Sequence, residues 1–204
     1  MTPQRFVRSM LLVVICIASC AMQAQSPVQS PVNDHPGILG TLDQGRYSNH
    51  TIGFSIQLDN ACAIVNEAAA TEWVHRFPQR LALSIRCTDY TVTLVSWPLH
   101  SDESADLIFQ ASPSVAGAID GLRENQGLEF KKRGGWQKVT AGGTKLIVQE
   151  LAARGESGEE VLGLYNGFLI GRRYISILVI GPRKNDPQLR HIVATLKLDV
   201  NPAK

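Results

Sequence analysis

Alternating apolar and polar positions predict several half-buried β-strands. Such alternation occurs in residues 54–58 and 81–97, and a period of two is the signature of a strand with one face in a core. Residues 161–170 and 173–180 are two further strand-like segments around Gly171-Arg172, which predicts a hairpin. The second of these segments is nearly all apolar, so we expect it to be a central strand.

Proline and glycine positions predict two helices. Ser112 followed by Pro113 reads as an N-cap and first helical residue, and Gly127 follows as a stop, so we expect a helix to about residue 125. Asp186 followed by Pro187 opens the last helix in the same way. The apolar residues of this last helix share one face: Leu189, Ile192, Val193 and Leu196. Strands in runs with helices at intervals predict an α+β fold with a mainly antiparallel sheet.

The N-terminus has the layout of an export signal. Arg5 and Arg8 precede an apolar segment at residues 10–18. This segment is shorter than the roughly 20 apolar residues that a membrane helix needs. A basic region followed by a short apolar region is typical of a secretory signal peptide. We therefore expect residues 1–20 to be a signal peptide and the protein to be exported.

Cys20, at the end of this segment, has two interpretations. Ile17-Ala18-Ser19-Cys20 resembles the bacterial lipobox, in which the cysteine is lipidated and becomes the first mature residue. The alternative is ordinary signal-peptidase cleavage after Ala21, which would give a freely secreted protein. We favour lipidation of Cys20, so that the protein lies in the periplasm or at the cell surface and meets the membrane through its lipid anchor only.

Composition separates a tether from a folded domain. Residues 21–44 are rich in proline, glutamine and serine and offer little apolar surface to bury, so we expect a flexible tether. Residues 45–200 are long enough for one domain. Without the two arginines of the signal segment, the chain has 18 basic and 18 acidic side chains. With no net charge to attract nucleic acid, we expect no nucleic-acid partner.

Three short motifs resemble the Mog/PsbP-like family, which includes many small bacterial lipoproteins of unknown function. The first is Tyr47-Ser48-Asn49 followed by Ile52-Gly53-Phe54-Ser55-Ile56, which is similar to the opening strand of that family. The second is Gly171-Arg172-Arg173-Tyr174-Ile175 before an apolar strand. The third is a closing amphipathic helix that runs into Leu196-Lys197-Leu198. The resemblance spans about residues 45–200.

The resemblance implies an α/β/α sandwich, in which a central, mainly antiparallel sheet carries helices on both faces. It also implies a binding or assembly factor more often than an enzyme, with no shared catalytic set. The chain departs from the family pattern at Asp59-Asn60, which replaces a proline-containing turn. Residues 60–75 therefore stay open, although their alanines favour a helix that Pro78 would end.

Two cysteines remain in the folded part, Cys62 and Cys87. In an oxidising compartment they could form a disulfide, and the alternative is two buried, unpaired thiols. We prefer the disulfide. We expect no metal and no other cofactor, because neither these cysteines nor His75 and His100 have the close spacing of zinc ligands.

A basic and aromatic surface is the candidate binding site. We select Lys132, Trp136, Arg172 and Arg173 as contacts, on the hypothesis that their segments converge. The alternative is a solvated surface without a ligand. The other large aromatic residues are expected to pack in the core or at its rim: Trp73, Trp97, Tyr165 and Tyr174.

Three functional hypotheses remain. The preferred one is a non-enzymatic module of the bacterial cell envelope that binds an envelope protein or a small ligand. The second is an envelope hydrolase, which predicts a cleft where His75 or His100 meets a carboxylate or a hydroxyl. The third is a structural lipoprotein without a ligand, which predicts no sizeable pocket. We select no catalytic residue, because the serine and phosphate-loop patterns lack their required order.

Overall fold

The computed structural model describes residues 38–198. These residues form eleven strands: β1 (Thr41–Asp43), β2 (Arg46–Asn49), β3 (Phe54–Gln57), β4 (Ala63–Ile64), β5 (Leu81–Arg86), β6 (Thr91–Pro98), β7 (Lys131–Ala141), β8 (Thr144–Arg154), β9 (Glu160–Ile170), β10 (Arg173–Pro182) and β11 (Lys197–Leu198). They also form three α-helices: α1 (Glu67–Arg76), α2 (Leu107–Gln126) and α3 (Asp186–Ala194), the last preceded by a 3₁₀ turn at Arg183–Asn185. Within this part of the chain, no helix is long and apolar enough to cross a membrane.

The strands form two antiparallel sheets. The larger sheet has the order β4-β5-β6-β10-β9-β8-β7, and the smaller has the order β1-β2-β3-β11. These sheets and helices confirm the predicted α+β class with mainly antiparallel strands. The second sheet is a difference from the single sheet that we expected. The central position of β10 is confirmed, since β6 and β9 flank it on either side.

Alternate residues of the larger sheet face two separate hydrophobic cores. On β10, Ile175 and Ile177 face the core that also receives α1, α3 and the smaller sheet. Tyr174 and Leu178 face the other core, which receives apolar residues of α2. An almost continuous apolar sequence is therefore required on β10, because neither face of this strand meets solvent.

Helix α2 begins earlier than the Ser112-Pro113 pair predicts. Asp106 is its N-cap, and the carboxylate accepts the backbone N–H of Phe109 at 2.8 Å. Pro113 therefore lies inside the helix, where its missing N–H removes one backbone hydrogen bond. The Asp106 cap decides the helix start, and the proline is tolerated within it. The predicted stop is confirmed, because Gly127 ends the helix with a left-handed φ of 65°.

The last helix is confirmed with a shift of one residue at its start. Asn185, not Asp186, is the N-cap, because the 3₁₀ turn leads directly into α3. Leu189 and Ile192 are buried and Val193 is partly buried, as their helical spacing predicts. Leu196 is also buried, but it lies after the helix has ended at Ala194.

The fold begins before residue 45. Ile38 is buried, and its carbonyl accepts the side-chain amide of Asn49 at 2.7 Å. The hydroxyl of Tyr47 donates to the carbonyl of Leu39 at 2.8 Å. Residues 38–44, which composition assigns to the tether, thus belong to the folded domain, and residues 41–43 form strand β1 of the smaller sheet. The predicted signal peptide, Cys20 and the rest of the tether lie outside the described residues.

The region left open by sequence contains β4, α1 and a disulfide. Cys62 lies just before β4, Cys87 lies just after β5, and the structure joins them in a disulfide. By the loop-entropy model, a cross-link over a sequence separation of 25 contributes about 3 kcal/mol. The bond holds the two-residue strand β4 against the edge of the larger sheet. Helix α1 ends at Arg76, before Pro78.

Candidate functional site

The four residues selected from sequence as one binding surface lie in two separate places. Arg172 and Arg173 are at the β9–β10 turn, whereas Lys132 and Trp136 are on β7. Lys132 is level with Ile180 of β10 through the pairings of β8 and β9, and Ile180 is seven residues after Arg173. At strand spacings of about 4.8 Å and about 3.3 Å per residue, Lys132 and Arg173 are roughly 25 Å apart. The predicted convergence is therefore wrong.

The guanidinium groups of Arg172 and Arg173 donate hydrogen bonds to main-chain carbonyls. The guanidinium of Arg172 donates to the carbonyl of His100 and, at 3.1 Å, to that of Glu103. The guanidinium of Arg173 donates to the carbonyl of Gln79 at 2.6 Å and to the Ser96 hydroxyl at 3.3 Å. Burial lowers the pKa of Arg173. Both arginines hold neighbouring loops in place, so their donors are not directed at a ligand.

A cleft lies beside these two arginines, at the end of the larger sheet where α1 leads into β5. We call it the end cleft, and its volume is about 300 Å³. It is lined by residues from α1, from β5 with the turn before it, from β6 and from the β6–α2 loop: Trp73, Arg80, Leu81, Val95, Ser96, Trp97 and Glu103. Backbone pairing of Leu81 with Ser96 forms its floor, and Arg173 fixes its rim at Gln79 and Ser96.

Aromatic rings and guanidinium groups give the end cleft its chemistry. Trp73 is 38% exposed and packs on Phe77, with 4.5 Å between ring centroids. The guanidiniums of Arg76 and Arg80 lie 5.5 and 5.6 Å from the centroid of Phe77, within the range of cation–π contacts. Among residues 38–198, neither guanidinium makes an ion pair. Their positive charges remain available to an anionic group that enters beside Trp73.

Local sequence explains why this cluster forms. Trp73 and Phe77 are four residues apart, so they share one side of α1 and its C-terminal cap. The N–H of Phe77 donates to the carbonyl of Trp73 at 2.8 Å, and the N–H of Arg80 donates to that of Phe77 at 2.9 Å. These bonds stabilise the turn around Pro78 and place Arg80 beside the ring of Phe77. A sequence reading could have used this aromatic pair with flanking arginines as a signal; we assigned Trp73 to packing instead.

Three of the remaining aromatic residues are packed in the core or at its rim, as predicted. Tyr165 and Tyr174 are buried beneath α2, with 2.9 Å between their hydroxyl oxygens. Burial raises the pKa of both tyrosines, most strongly that of Tyr174. Trp97 packs on Tyr174 at 4.8 Å between centroids, so it joins this core to the wall of the end cleft.

Trp136 and Lys132 belong to the outermost strand of the larger sheet. Trp136 is half-buried in a β-bulge of β7 and packs edge-on against Tyr165, at 6.3 Å. Lys132 is exposed, and its neighbour Arg133 pairs with Glu160 at 2.9 Å. Trp136 therefore fixes β7 to the core, whereas Lys132 is at the surface.

A network of charged residues ties β8 to α3. Glu150 is 14% exposed and accepts from Arg183 at 2.6 Å and from Arg190 at 2.8 Å. Burial would raise the pKa of Glu150, but the hydrogen bonds from the two arginines outweigh it and lower the pKa below 4.5. Asp186 also pairs with Arg190 at 2.6 Å. The charges of this network satisfy one another, so it is a structural element.

The histidines of the hydrolase hypothesis are not in the end cleft. His75 lines a shallow depression whose other lining residues also come from α1 alone: Glu67, Ala68, Thr71 and Glu72. His100 donates its backbone N–H to Glu103 at 2.5 Å. In residues 38–198, no group of three or more histidine, cysteine, aspartate or glutamate side chains is placed to hold a metal ion.

Comparison with known proteins gives a likeness at the level of fold. No protein-family model matches the chain, and no curated protein matches it in sequence. The chain is similar in structure to the cyanobacterial PsbP, CyanoP, from Synechocystis sp. PCC 6803, with a TM-score of 0.56 and 11% identity over 85% of this chain and 99% of that one. A protein from Bacteroides thetaiotaomicron VPI-5482 aligns with a TM-score of 0.48 and 12% identity, over 79% of this chain and 51% of that one.

These findings define the chain first as an α+β protein of two antiparallel sheets, with a cleft at one end that is lined by Trp73, Trp97, Arg80 and Glu103 among others. Its fold is similar to that of cyanobacterial PsbP, which confirms the PsbP-like resemblance at the level of fold. At 11% identity the likeness establishes the fold alone. Function has to be argued from the surfaces of this chain.

Proposed function

We propose that the protein is an exported, lipid-anchored, non-enzymatic module of the bacterial cell envelope, and that it binds a protein or small-ligand partner at the end cleft. The observation that carries the binding site is the exposed Trp73 beside Arg76 and Arg80, whose guanidiniums contact Phe77 but no carboxylate of the described chain. Tryptophan and arginine are the residues most enriched at binding hot spots. The partner group that fits is an anion, such as a carboxylate, next to an apolar group.

Export and anchoring rest on two supports. The first is the sequence of residues 1–20, with its lipobox-like end at Cys20. The second is the disulfide between Cys62 and Cys87, since such bonds persist in oxidising compartments and are rare in the cytosol. The chain between Cys20 and Ile38 would then serve as the tether.

The two cores on opposite faces of the larger sheet support the α/β/α sandwich that the resemblance implies.

The fixed rim and floor of the end cleft favour a binding module over a structural lipoprotein without a ligand. That hypothesis predicts no sizeable pocket, whereas the end cleft is about 300 Å³, at the lower limit of typical ligand sites. Its rim is held by Arg173 and its floor by strand pairing. A site that is formed before its partner arrives loses little entropy on binding.

Photo-crosslinking in the native host tests the binding site. An aromatic photo-crosslinking residue in place of Trp73, which keeps a large ring at that position, is expected to capture a discrete partner, and an Arg76→Ala/Arg80→Ala change in the same chain is expected to abolish the capture. Val65 is the matched control position, since it is 37% exposed against 38% for Trp73 and does not line the cleft. Equal capture from both positions, or capture that survives the loss of both arginines, would contradict the end cleft as the site.

Intact-mass measurement of protein purified from native membranes tests the anchor. A diacyl or triacyl increment on a chain that starts at Cys20, lost in Cys20→Ala, is the expected result. An unmodified chain that starts at Met22 would show a freely secreted protein. The proposed lipid anchor would then be wrong. The binding site would not be affected, because the crosslinking experiment tests it separately.

A further inference from the structure

The outer edge of β7 is a long strand edge that no other strand of residues 38–198 covers. β7 has 11 residues and stands last in the seven-stranded order. At the opposite end of the sheet, β4 has two residues and is fastened by the Cys62–Cys87 disulfide. Folded proteins usually shorten or cover such edges, because unpaired backbone N–H and C=O groups can pair with another chain. The length of β7 is therefore the feature to explain.

The β7–β8 turn determines which backbone groups face outward. Gly142 and Gly143 have φ angles of 55° and 78°, so they form a two-residue type I′ hairpin between Ala141 and Thr144. In this hairpin the two residues that flank the turn exchange both of their hydrogen bonds. Alternation along β7 then directs the N–H and C=O of Val139 toward β8.

Lys138 and Thr140 are the residues whose backbone groups point away from β8. They occupy the alternate positions of the regular segment from Gln137 to Ala141, where every residue has one partner on β8. Their N–H and C=O groups are two residues apart along one edge, which is the spacing that hydrogen bonds to an added strand require. The segment is long enough to pair with about four or five residues of another chain.

The β-bulge limits the open edge at its other end. The register shifts between Arg133 and Gln137. Gln149 is 2% exposed, and its amide donates to the carbonyls of Arg133 at 3.1 Å and Gly134 at 3.3 Å. With Trp136 packed against Tyr165, the bulge is fixed to the body of the protein. An incoming strand would therefore meet a rigid edge with a defined end.

The charge of β7 selects the chemistry of that strand. β7 has four basic residues and no acidic residue. Arg133 is paired with Glu160, whereas Lys131, Lys132 and Lys138 make no ion pair within residues 38–198. A second copy of the chain would bring like charges together across the new strand pair, which is destabilising. A strand that carries aspartate or glutamate would instead be attracted and oriented.

We propose that the β7 edge, from Gln137 to Ala141, binds an acidic extended segment of another protein as an added β-strand. Backbone hydrogen bonds to Lys138 and Thr140 supply the affinity. Lys138, which lies within the segment, selects an acidic side chain, and Lys131 and Lys132 beyond the bulge add a longer-range attraction. This surface is separate from the end cleft, and the proposal does not depend on the function proposed for that cleft.

Matched synthetic peptides test the proposal with the purified full chain. The probe is a short peptide in which glutamate and valine alternate, labelled for fluorescence anisotropy. The control has the same sequence with alternate amides N-methylated, which keeps the charge and removes the N–H groups along one edge. Because two or more backbone hydrogen bonds are lost, binding of the control is expected to be at least about tenfold weaker.

Protein variants locate the binding edge. Thr140→Pro removes one outward N–H and is expected to weaken binding of the acidic peptide by about tenfold, since proline is tolerated at the solvent side of an edge strand. Thr140→Val keeps the N–H and the branched side chain, and it is expected to bind like the wild type. Urea unfolding of both variants checks that the fold is retained. If Thr140→Pro is unfolded, the comparison of the acidic peptide with its N-methylated control on wild-type protein still tests the proposal.

Amide hydrogen exchange gives an independent readout. The amides of Lys138 and Thr140 are expected to exchange fast in the free protein and at least about tenfold more slowly with the acidic peptide, while Val139 is protected in both. Equal binding of the N-methylated peptide, or of a peptide with lysine in place of glutamate, would overturn the proposal. Slow exchange at Lys138 and Thr140 without peptide would also overturn it, because the edge would then already be covered.

Discussion

The end cleft and strand β7 hold the two halves of the basic surface that the sequence predicts, and their basic residues use positive charge in different ways. At the end cleft, the guanidiniums of Arg172 and Arg173 donate to main-chain carbonyls. On β7, Lys131 and Lys132 are exposed and make no ion pair within the described chain. Arg172 and Arg173 therefore stabilise loops, whereas Lys131 and Lys132 stay available to a partner.

The chemistry of the two cations explains this difference. Arginine has a planar fork of donors that can bridge two carbonyls, whereas lysine is a strongly hydrated point charge on a flexible stem. The loops that meet at the β9–β10 turn expose carbonyls without strand partners, which arginine can satisfy. The neighbouring cations of the end cleft, Arg76 and Arg80, are held by a ring instead, so their donors stay open.

The largest effect is expected from Arg173→Ala. The change removes charge-assisted hydrogen bonds to Gln79 and Ser96 from a half-buried position, so the free energy of unfolding should fall by about 2 kcal/mol. Arg172→Ala, at an exposed position, should cost less than about 1 kcal/mol. Urea unfolding of the two variants side by side, with equal slopes, measures the difference.

Arg173→Lys sharpens this measurement. It keeps the charge and removes the fork, so its stability should lie between those of the wild type and Arg173→Ala. If Arg173→Ala unfolds at the same urea concentration as the wild type, Arg173 does not hold the cleft rim. It would then be a candidate ligand contact after all, as the sequence alone suggested.

The next largest effect is expected from Glu150→Gln, which tests how firmly β8 is held to α3. Glu150 accepts from Arg183 and Arg190 at a mostly buried position, so its neutralisation should lower the free energy of unfolding by about 1 to 2 kcal/mol at pH 7. Asp120, in an exposed pair with Arg123, is the control, and Asp120→Asn should cost less than about 0.5 kcal/mol.

The pH dependence of this effect has a definite direction. The two arginines lower the pKa of Glu150 in the folded protein below the 4.5 of the free group. The ionised carboxylate of Glu150 therefore makes its full contribution to stability above about pH 5, and this contribution is lost as the pH falls through the lowered pKa. The stability difference between wild type and Glu150→Gln should shrink below pH 4.5. A difference that grows on acidification would show that the carboxylate is not stabilised by its arginines.

Sequence patterns predict the elements of this fold better than they predict its surfaces. The apolar run of β10 and the spacing of Leu189 and Ile192 in α3 report burial, which is a local consequence of residue type. The start of α2 was missed because an Asp106 cap competed with Ser112-Pro113, and either pair fits the local rules. In the structure the Asp106 cap determines the start, and Pro113 is accommodated inside the helix.

The binding surfaces depend on distance across strands, which one sequence does not contain. Lys132 and Arg173 are each basic and each close to an aromatic residue, but the strand order separates them by roughly 25 Å. The disulfide partners Cys62 and Cys87 could be proposed only because no other cysteine of the folded part competes. The pair of Trp73 and Phe77 was accessible to a helical-spacing argument, and the open edge of β7 was not.

The smallest effect on stability is expected from replacing the three lysines of β7. In Lys131→Gln/Lys132→Gln/Lys138→Gln, each exposed side chain loses a charge that pairs with nothing in residues 38–198, so the free energy of unfolding should change by less than about 0.5 kcal/mol. Arg133→Gln, in the same strand, breaks a pair with Glu160 and is the control for a charge that is already paired.

Binding should separate the lysines from Arg133. The triple lysine variant is expected to lose affinity for the acidic peptide and most of its dependence on salt, because the charges that attract the peptide are gone. Arg133→Gln should retain most of both. If the lysine variant binds as tightly as the wild type at low and at high salt, the charge of β7 only protects the edge from aggregation. In that case, none of the basic residues selected from sequence would contact a partner: Arg172 and Arg173 would stabilise loops, and Lys132 would only keep the strand soluble.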